Sequence, residues 1–343
     1  MSPLAVLPRP SRREPDPAPP GVRRTTSTPE RGDVVFTGLH RLGGILVLAL
    51  FSAVGLFLAA RGAQAIAQAK LSFLTTQAWQ PDSHHFGIAG VLVGTVLIAT
   101  VAVVVSLPIS LGLALYISEI APSGIRRTLV SLVDLMAAIP SVVYGLWGLY
   151  YLQSHVIGIA RWLSEWLGWI PIFHVSNVDP TNPLATASVY SASTFVVGLV
   201  VSLMVIPIQC SVMRESFSQA PHGEREGAYA LGATRWGMVR SVVVPFGRGG
   251  IVGGTMLGLG RALGETIAVI LIISPIFHIN LHILESGGHS VSALIALMQG
   301  DASTFGVSAL MAAGLALFAL TLLVNLTASA IVARSRSGAE SEV

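Results

Sequence analysis

The chain has 343 residues, 52% of them hydrophobic and only 11% charged, with a formal net charge of +3 and a mean hydropathy of +0.72. Soluble domains carry roughly 25% charged residues, and several stretches here exceed the roughly 18 apolar residues that mark a bilayer-spanning helix; a soluble protein is excluded in favour of an integral membrane protein. One cysteine, Cys210, excludes an intramolecular disulfide, and the one lysine, Lys70, stands in IAQAKLSF, so the GxxxxGK[ST] loop of a nucleotide hydrolase is lacking.

In chain order, residues 1–40 are rich in proline and arginine and read as a disordered, solvated tail. A first hydrophobic segment follows at about 42–61, with an outer loop to residue 87. The repeated AQA at 63–65 and 67–69 has the form of a signal-peptidase site. The long preceding tail favours an uncleaved anchor. Five further segments run at about 88–117, 128–152, 190–211, 250–275 and 305–333, giving an all-α reading with six transmembrane helices. Pro108, Pro140 and Pro207 fall within them, so bent helices are expected, with neighbours supplying the backbone partners a proline removes.

The basic residues fix an orientation. Arg9, Arg12, Arg13, Arg23, Arg24, Arg31 and Arg41 lie in the tail, Arg126 and Arg127 in the second interspan loop, and Arg214, Arg225, Arg235, Arg240 and Arg248 in the fourth. Arg334 and Arg336 belong to a short C-terminal tail, 334–343. The opposite side has Arg61, Lys70 and Arg161, and Arg261 remains inside a span. The positive-inside rule places both termini in the cytoplasm. On the outer side, Trp162, Trp166 and Trp169 recur at helical spacing in IGIARWLSEWLGWIP, the pattern of a helix resting at the membrane interface.

The fourth loop, 212–249, contains REGAYALGATRWGMVRSVVVP at 225–245. It reads as a short helix, a break at Gly232, and a second helix ending before Pro245, with Leu231, Trp236 and Val239 as apolar knobs. Such a pair can dock into a groove of a soluble partner or lie on the membrane surface. Its spacing resembles the coupling loop of the membrane subunits of ATP-binding-cassette importers: EAA, three residues, G, nine residues, I-x-L-P. The matching positions are Glu226, Gly227, Ala228, Gly232, Val242, Val244 and Pro245, with Gly227 in place of the usual second-position alanine. DLMAAIPSVVYGLWG at 134–148 and GLGRALGETIAV at 258–269 look like the permeases of phosphate-specific importers, more like the PstC subunit than its PstA partner.

The similarity covers residues 88–330. It implies a type I importer permease fold in the transmembrane domain 88–333. It also implies a second permease chain, an ATPase dimer seated on Glu226 to Gly232 that binds the ATP and Mg²⁺, and an extracytoplasmic phosphate-binding protein. No cofactor is expected in this chain. Another oxyanion such as sulfate or molybdate, an ion-coupled secondary carrier, and a non-transporting membrane regulator remain as alternatives.

Within the fifth segment, Gly250, Gly254 and Gly258 recur every four residues, a ridge that admits close approach of another helix. At about 100° per residue, Arg261 and Glu265 share that sector, so both are expected to face helices or an internal pathway. A charge at the centre of a span costs at least about 2.5–3.5 kcal/mol. Glu265, one turn along, and Asp134, the other charge placed deep in a span, are the candidate partners of Arg261. A guanidinium matches phosphate oxygens through paired hydrogen bonds; the pair serves equally well as an ion pair fixing helix register or gating the pathway. His278, His282, Glu285 and His289 gather in the last outer loop, which reads as a plain solvated loop. GRGGIVGG at 247–254 departs from the GxGxxG dinucleotide pattern and reads as helix packing.

Overall fold

The computed structural model describes residues 31–176 and 188–336. The tail to residue 30, the segment 177–187 and the last seven residues lie outside the described residues, so the reading of residues 1–30 as disordered falls outside them too. From Arg31 onward that reading is corrected: α1 runs Arg31–Ala69 and takes in the whole of 31–40. The helix is about twice as long as its apolar run because nothing in GDVVFTGLHRL breaks it. Residues up to Ala53 form one unit and those from Val54 another.

In the second unit, a hairpin of two short strands, β1 Trp79–Gln80 and β2 His85–Phe86, leads into α2, Ala89–Leu115, which a π-helical turn extends to Ile120. Then follow α3 Ser123–Ala138, α4 Ser141–Trp147, a second π-turn at Gly148–Leu152, and α5 Gln153–Leu167. The short α6, Ser188–Ser191, precedes α7, Thr194–Ser218. The arginine-rich loop comprises α8 His222–Ala230, α9 Arg235–Met238, a π-turn at Val239–Val243 and α10 Val244–Phe246. The chain closes with α11 Arg248–Leu263, α12 Ile267–Ile272, α13 Val291–Met298 and α14 Thr304–Arg336.

Among the described residues, four helices are long and apolar enough to cross a membrane, or up to six if each of two bent pairs counts as one span. The third segment contains one such bend, and the fifth is interrupted between α11 and α12. Residues 123–138 and 141–167 meet at 90°. Pro140 is the N-cap of α4 rather than a kink inside a helix, because it has no N–H to donate and disfavours helical backbone at Ile139. Tyr144 holds the bend, donating its hydroxyl to the Met136 carbonyl at 3.0 Å. Pro108 and Pro207, by contrast, sit within unbroken helices.

The centre is built from α2, α7 and α11. α2 and α7 are apolar all round, as membrane spans are, and their Ile98, Ala102, Val197, Val201 and Val205 are buried together with Leu263 and Ala268. The glycine ridge of α11 packs on α7: a Cβ at Gly250 would lie 2.0 Å from Ser216 Oγ, and one at Gly258 2.6 Å from Val205 Cγ1. The quoted segments 134–148 and 258–269 also meet, since a Cβ on Gly145 would lie 3.2 Å from Ala268 Cα. At the far end, α1 docks on α14 through Gly62 and Ala65. Ala65 is buried, and its N–H donates to Ser308 Oγ at 3.3 Å, so the AQA at 63–65 lies within a packed helix.

Candidate functional site

Residues 258–266 do not continue one helix. α11 stops at Leu263, Gly264 to Thr266 form an irregular link, and α12 starts at Ile267. Glu265 lies in that link. Its Oε2 is 3.5 Å from Arg261 Nη1, while its Oε1 accepts from the Ala268 N–H at 3.2 Å. One carboxylate oxygen thus satisfies an otherwise orphan donor at the N-terminus of α12, where negative charge is also favoured by the helix dipole. The other faces the guanidinium. The Glu265 carbonyl accepts from Ser292 Oγ at 2.7 Å and from Ser290 Oγ at 3.4 Å. Ser290 in turn caps α13, accepting from the Ala293 N–H at 3.2 Å. Three helix ends are knotted at one glutamate.

The two charges differ in setting. The Glu265 side chain is 3% exposed and that of Arg261 40%. Glu265 thus faces packed helices, whereas Arg261 is not enclosed within this chain. Contact between the ridge and α7 reaches Gly258, and beyond it the long arginine side chain emerges on an open surface of the chain. Arginine preceding glutamate is also the weaker orientation of an i,i+4 pair, and the link at Gly264 removes the helical register such a pair relies on. The guanidinium keeps donors to spare.

Asp134 is not a partner. It is exposed on α3 and forms no ion pair among the described residues. The 90° break takes α3 out of the straight span in which it was expected to be deep. The helix pair of the arginine-rich loop is formed as expected, with Glu226, Gly227 and Ala228 on α8. Gly232 has φ +83°. Around it the Ala233 N–H donates to Ala228 O at 3.0 Å and the Gly232 N–H to Tyr229 O at 2.9 Å, the two bonds of a Schellman ending. Thr234 caps α9 by accepting from the Gly237 N–H at 3.1 Å.

Two details differ from the sequence reading. The second helix runs on through Pro245 to Phe246, because the wide π-turn at 239–243 makes room for the proline ring against the carbonyls before it. It then turns by 66° into α11. Val239 is buried among Met213, Phe217 and Met238 rather than being a surface knob. Tyr229, Leu231, Trp236 and Phe246 are exposed large apolar side chains of the loop, Leu231 at 91%.

The loop between α12 and α13 is folded, not merely solvated. The Ile283 carbonyl accepts from the Phe195 N–H at 2.9 Å, and the Ser286 N–H donates to the Val189 carbonyl at 2.7 Å. His282 Nδ1 meets Glu285 Oε2 at 3.0 Å. His289 is buried, and its Nδ1 accepts from the Ser290 N–H at 3.1 Å. The ring proton therefore sits on Nε2, and burial lowers its pKa to about 4. A cavity of 910 Å³ opens among His278, Asn280, His282, Glu285, Ser176 and Ser188, and neither Arg261 nor Glu265 lines it. Trp162, Trp166 and Trp169 are exposed along and just beyond α5, as their spacing predicts.

Sequence reasoning missed two polar contacts. Ser110 Oγ donates to Gln209 Oε1 at 2.9 Å between α2 and α7, leaving the buried Gln209 Nε2 without a partner among the described residues. Arg225 Nη1 lies 3.0 Å from Glu119 Oε2. A lone glutamate ending an apolar run was the available signal for the second. Nothing local marks the first.

Residues 108–337 match the family described as binding-protein-dependent transport system inner membrane component. The chain is 34% identical over 312 residues to the phosphate transport system permease protein PstC 2 of Mycobacterium tuberculosis, covering 90% of this chain and 94% of that one. It is 36% identical over 296 residues to PstC of Pasteurella multocida, covering 85% and 89%. A bacterial ABC transporter involved in the import of the acidic polysaccharide alginate shares the fold, with a TM-score of 0.53 at 17% identity over 88% of this chain and 98% of that one. The chain belongs to the binding-protein-dependent transport system inner membrane components and, among them, to the PstC phosphate transport system permease proteins.

Proposed function

We propose that this chain is a permease subunit of an ATP-driven phosphate importer in the cell membrane of a bacterium, forming half of the translocation pathway beside a second, PstA-like permease. Both termini are cytoplasmic in this reading. An ATPase dimer binds ATP and Mg²⁺ and seats on α8 and α9, around Glu226, Gly227, Ala228 and Gly232, with Pro245 the last residue of the motif. An outer binding protein delivers inorganic phosphate. The extensive identity to PstC proteins supports the substrate, and the observation that carries the site is the half-exposed Arg261 beside a sequestered Glu265.

In this reading the two residues divide the labour. Glu265 stays on the N-terminus of α12 and keeps the guanidinium neutralised while the pathway is empty. Arg261, loosely held at 3.5 Å and with no other ion-pair partner among the described residues, takes phosphate oxygens as they pass. Closure of the ATPase favours the outward-facing arrangement over the inward-facing one. No covalent intermediate forms on this chain.

Arg261→Gln in the reconstituted importer is expected to abolish phosphate uptake while the complex stays assembled. Normal uptake removes both the binding and the gating role; lost assembly assigns the residue to structure. Sulfate or molybdate competing with labelled phosphate would reassign the anion, and uptake surviving an inactive ATPase would point to a secondary carrier.

A further inference from the structure

We propose that the Glu119–Arg225 ion pair is the strut through which movement of the α8–α9 loop reaches the central helices. The inference rests on the reading of that loop as the ATPase seat and adds the route by which displacement leaves it.

Arg225 stands on α8, immediately before Glu226. Its Nη1 is 3.0 Å from Glu119 Oε2, and its Nη2 donates to the Phe217 carbonyl at 2.6 Å. Glu119 belongs to the π-turn that extends α2, and Phe217 to the last turn of α7. One planar guanidinium therefore ties α8 to the ends of two of the central helices, α2 and α7, a geometry that a lysine ammonium does not reproduce.

The tie is shielded, with side chains 16% exposed for Arg225 and 4% for Glu119. The rest of α8 is open to its surroundings: only Arg225 and Ala228 are partly buried, and every other residue from His222 to Ala230 is exposed. Arg225 is thus the polar link between this helix and the bundle among the described residues. A neighbouring tie reinforces the same corner, since Arg126 on α3 donates to the Ser118 carbonyl at 2.7 Å.

What the strut moves is the surroundings of the charge pair. α7 backs the glycine ridge of α11, whose last turn carries Arg261. α2 carries Thr95, whose Oγ1 accepts from the Val291 N–H at 3.0 Å, next to the Ser290 and Ser292 hydroxyls on the Glu265 carbonyl. A push on α8 therefore arrives at both sides of Glu265. The pair also keeps capacity for a second arrangement, because Glu119 Oε1 and Arg225 Nε are buried without partners among the described residues.

The test uses the complete importer in liposomes, with binding protein and ATPase, and reads phosphate imported per ATP hydrolysed. Glu119→Gln and Arg225→Gln are expected to leave hydrolysis within about twofold and to lower import per ATP by about tenfold, the scale of a coupling free energy of one to two kcal/mol. The exchanged pair, Glu119→Arg with Arg225→Glu, is expected to recover part of the loss. Import per ATP unchanged in both single variants overturns the strut, as does an exchanged pair no better than either. If a neutral variant does not assemble, Arg225→Lys keeps the charge without the double contact, and unimpaired stoichiometry there overturns the proposal. Leu231→Ser with Trp236→Ser separates the two readings: an ATPase that still co-purifies removes the seat itself, whatever the pair variants do.

Discussion

At Glu265, two jobs fall on one side chain, and substitutions can separate them. Glutamine keeps an oxygen for the Ala268 N–H and loses the charge facing Arg261; alanine loses both. Glu265→Gln is expected to fold normally and transport poorly. Glu265→Ala is expected to lose an additional 1 kcal/mol or so of stability, the usual effect of removing a cap, read as a lower thermal midpoint in detergent. Equal midpoints for the two variants would dismiss the capping role. The sequence placed this glutamate beside an arginine correctly. It gave no sign that the helix ends between them, because GLGRALGET has helical spacing throughout and the break depends on Ser290 and Ser292 taking the Glu265 carbonyl from 25 and 27 residues away.

Among the elements, the contact of α11 with α7 is the one most legible beforehand. Three glycines at four-residue spacing expose backbone along one stripe, and that stripe faces Gln209, Met213 and Ser216. Gly258→Leu would drive its side chain into Gln209 and Val205, whose nearest atoms lie 2.5–2.9 Å from the added Cβ. Overpacking of this kind destabilises by roughly 1–3 kcal/mol, so a reduced yield of folded protein in the membrane is expected. Gly253→Leu serves as the control, since nothing lies within 4 Å of its Cβ position; equal yields would show that the ridge does not hold the pair. The bend at Pro140 was half legible: the proline was plain, but its direction depends on Tyr144 reaching back to Met136.

For the whole molecule, the open question is which end faces the cell interior, and the chain offers a clean probe. Its single cysteine, Cys210, is buried, so the parent protein is silent to thiol reagents and one introduced cysteine reports one position. Trp169→Cys is expected to react with a membrane-impermeant maleimide on intact cells. Leu231→Cys is expected to react only after the membrane is opened; both side chains are well exposed. The reverse pattern would invert the topology and detach α8 and α9 from any cytoplasmic ATPase.

Membrane residence, helical class, the side-to-side charge bias and the α8–Gly232–α9 loop were determined by the sequence alone, because each depends on local chemistry: apolar run length, arginine placement, and a left-handed turn that glycine accepts. The tertiary structure alone decided where the third and fifth segments break, that Asp134 stands apart from Arg261, and that Arg225 grips Glu119. Those outcomes rest on hydrogen bonds and packing between residues up to 106 positions apart, and no local pattern encodes which distant carbonyl or carboxylate will lie within reach.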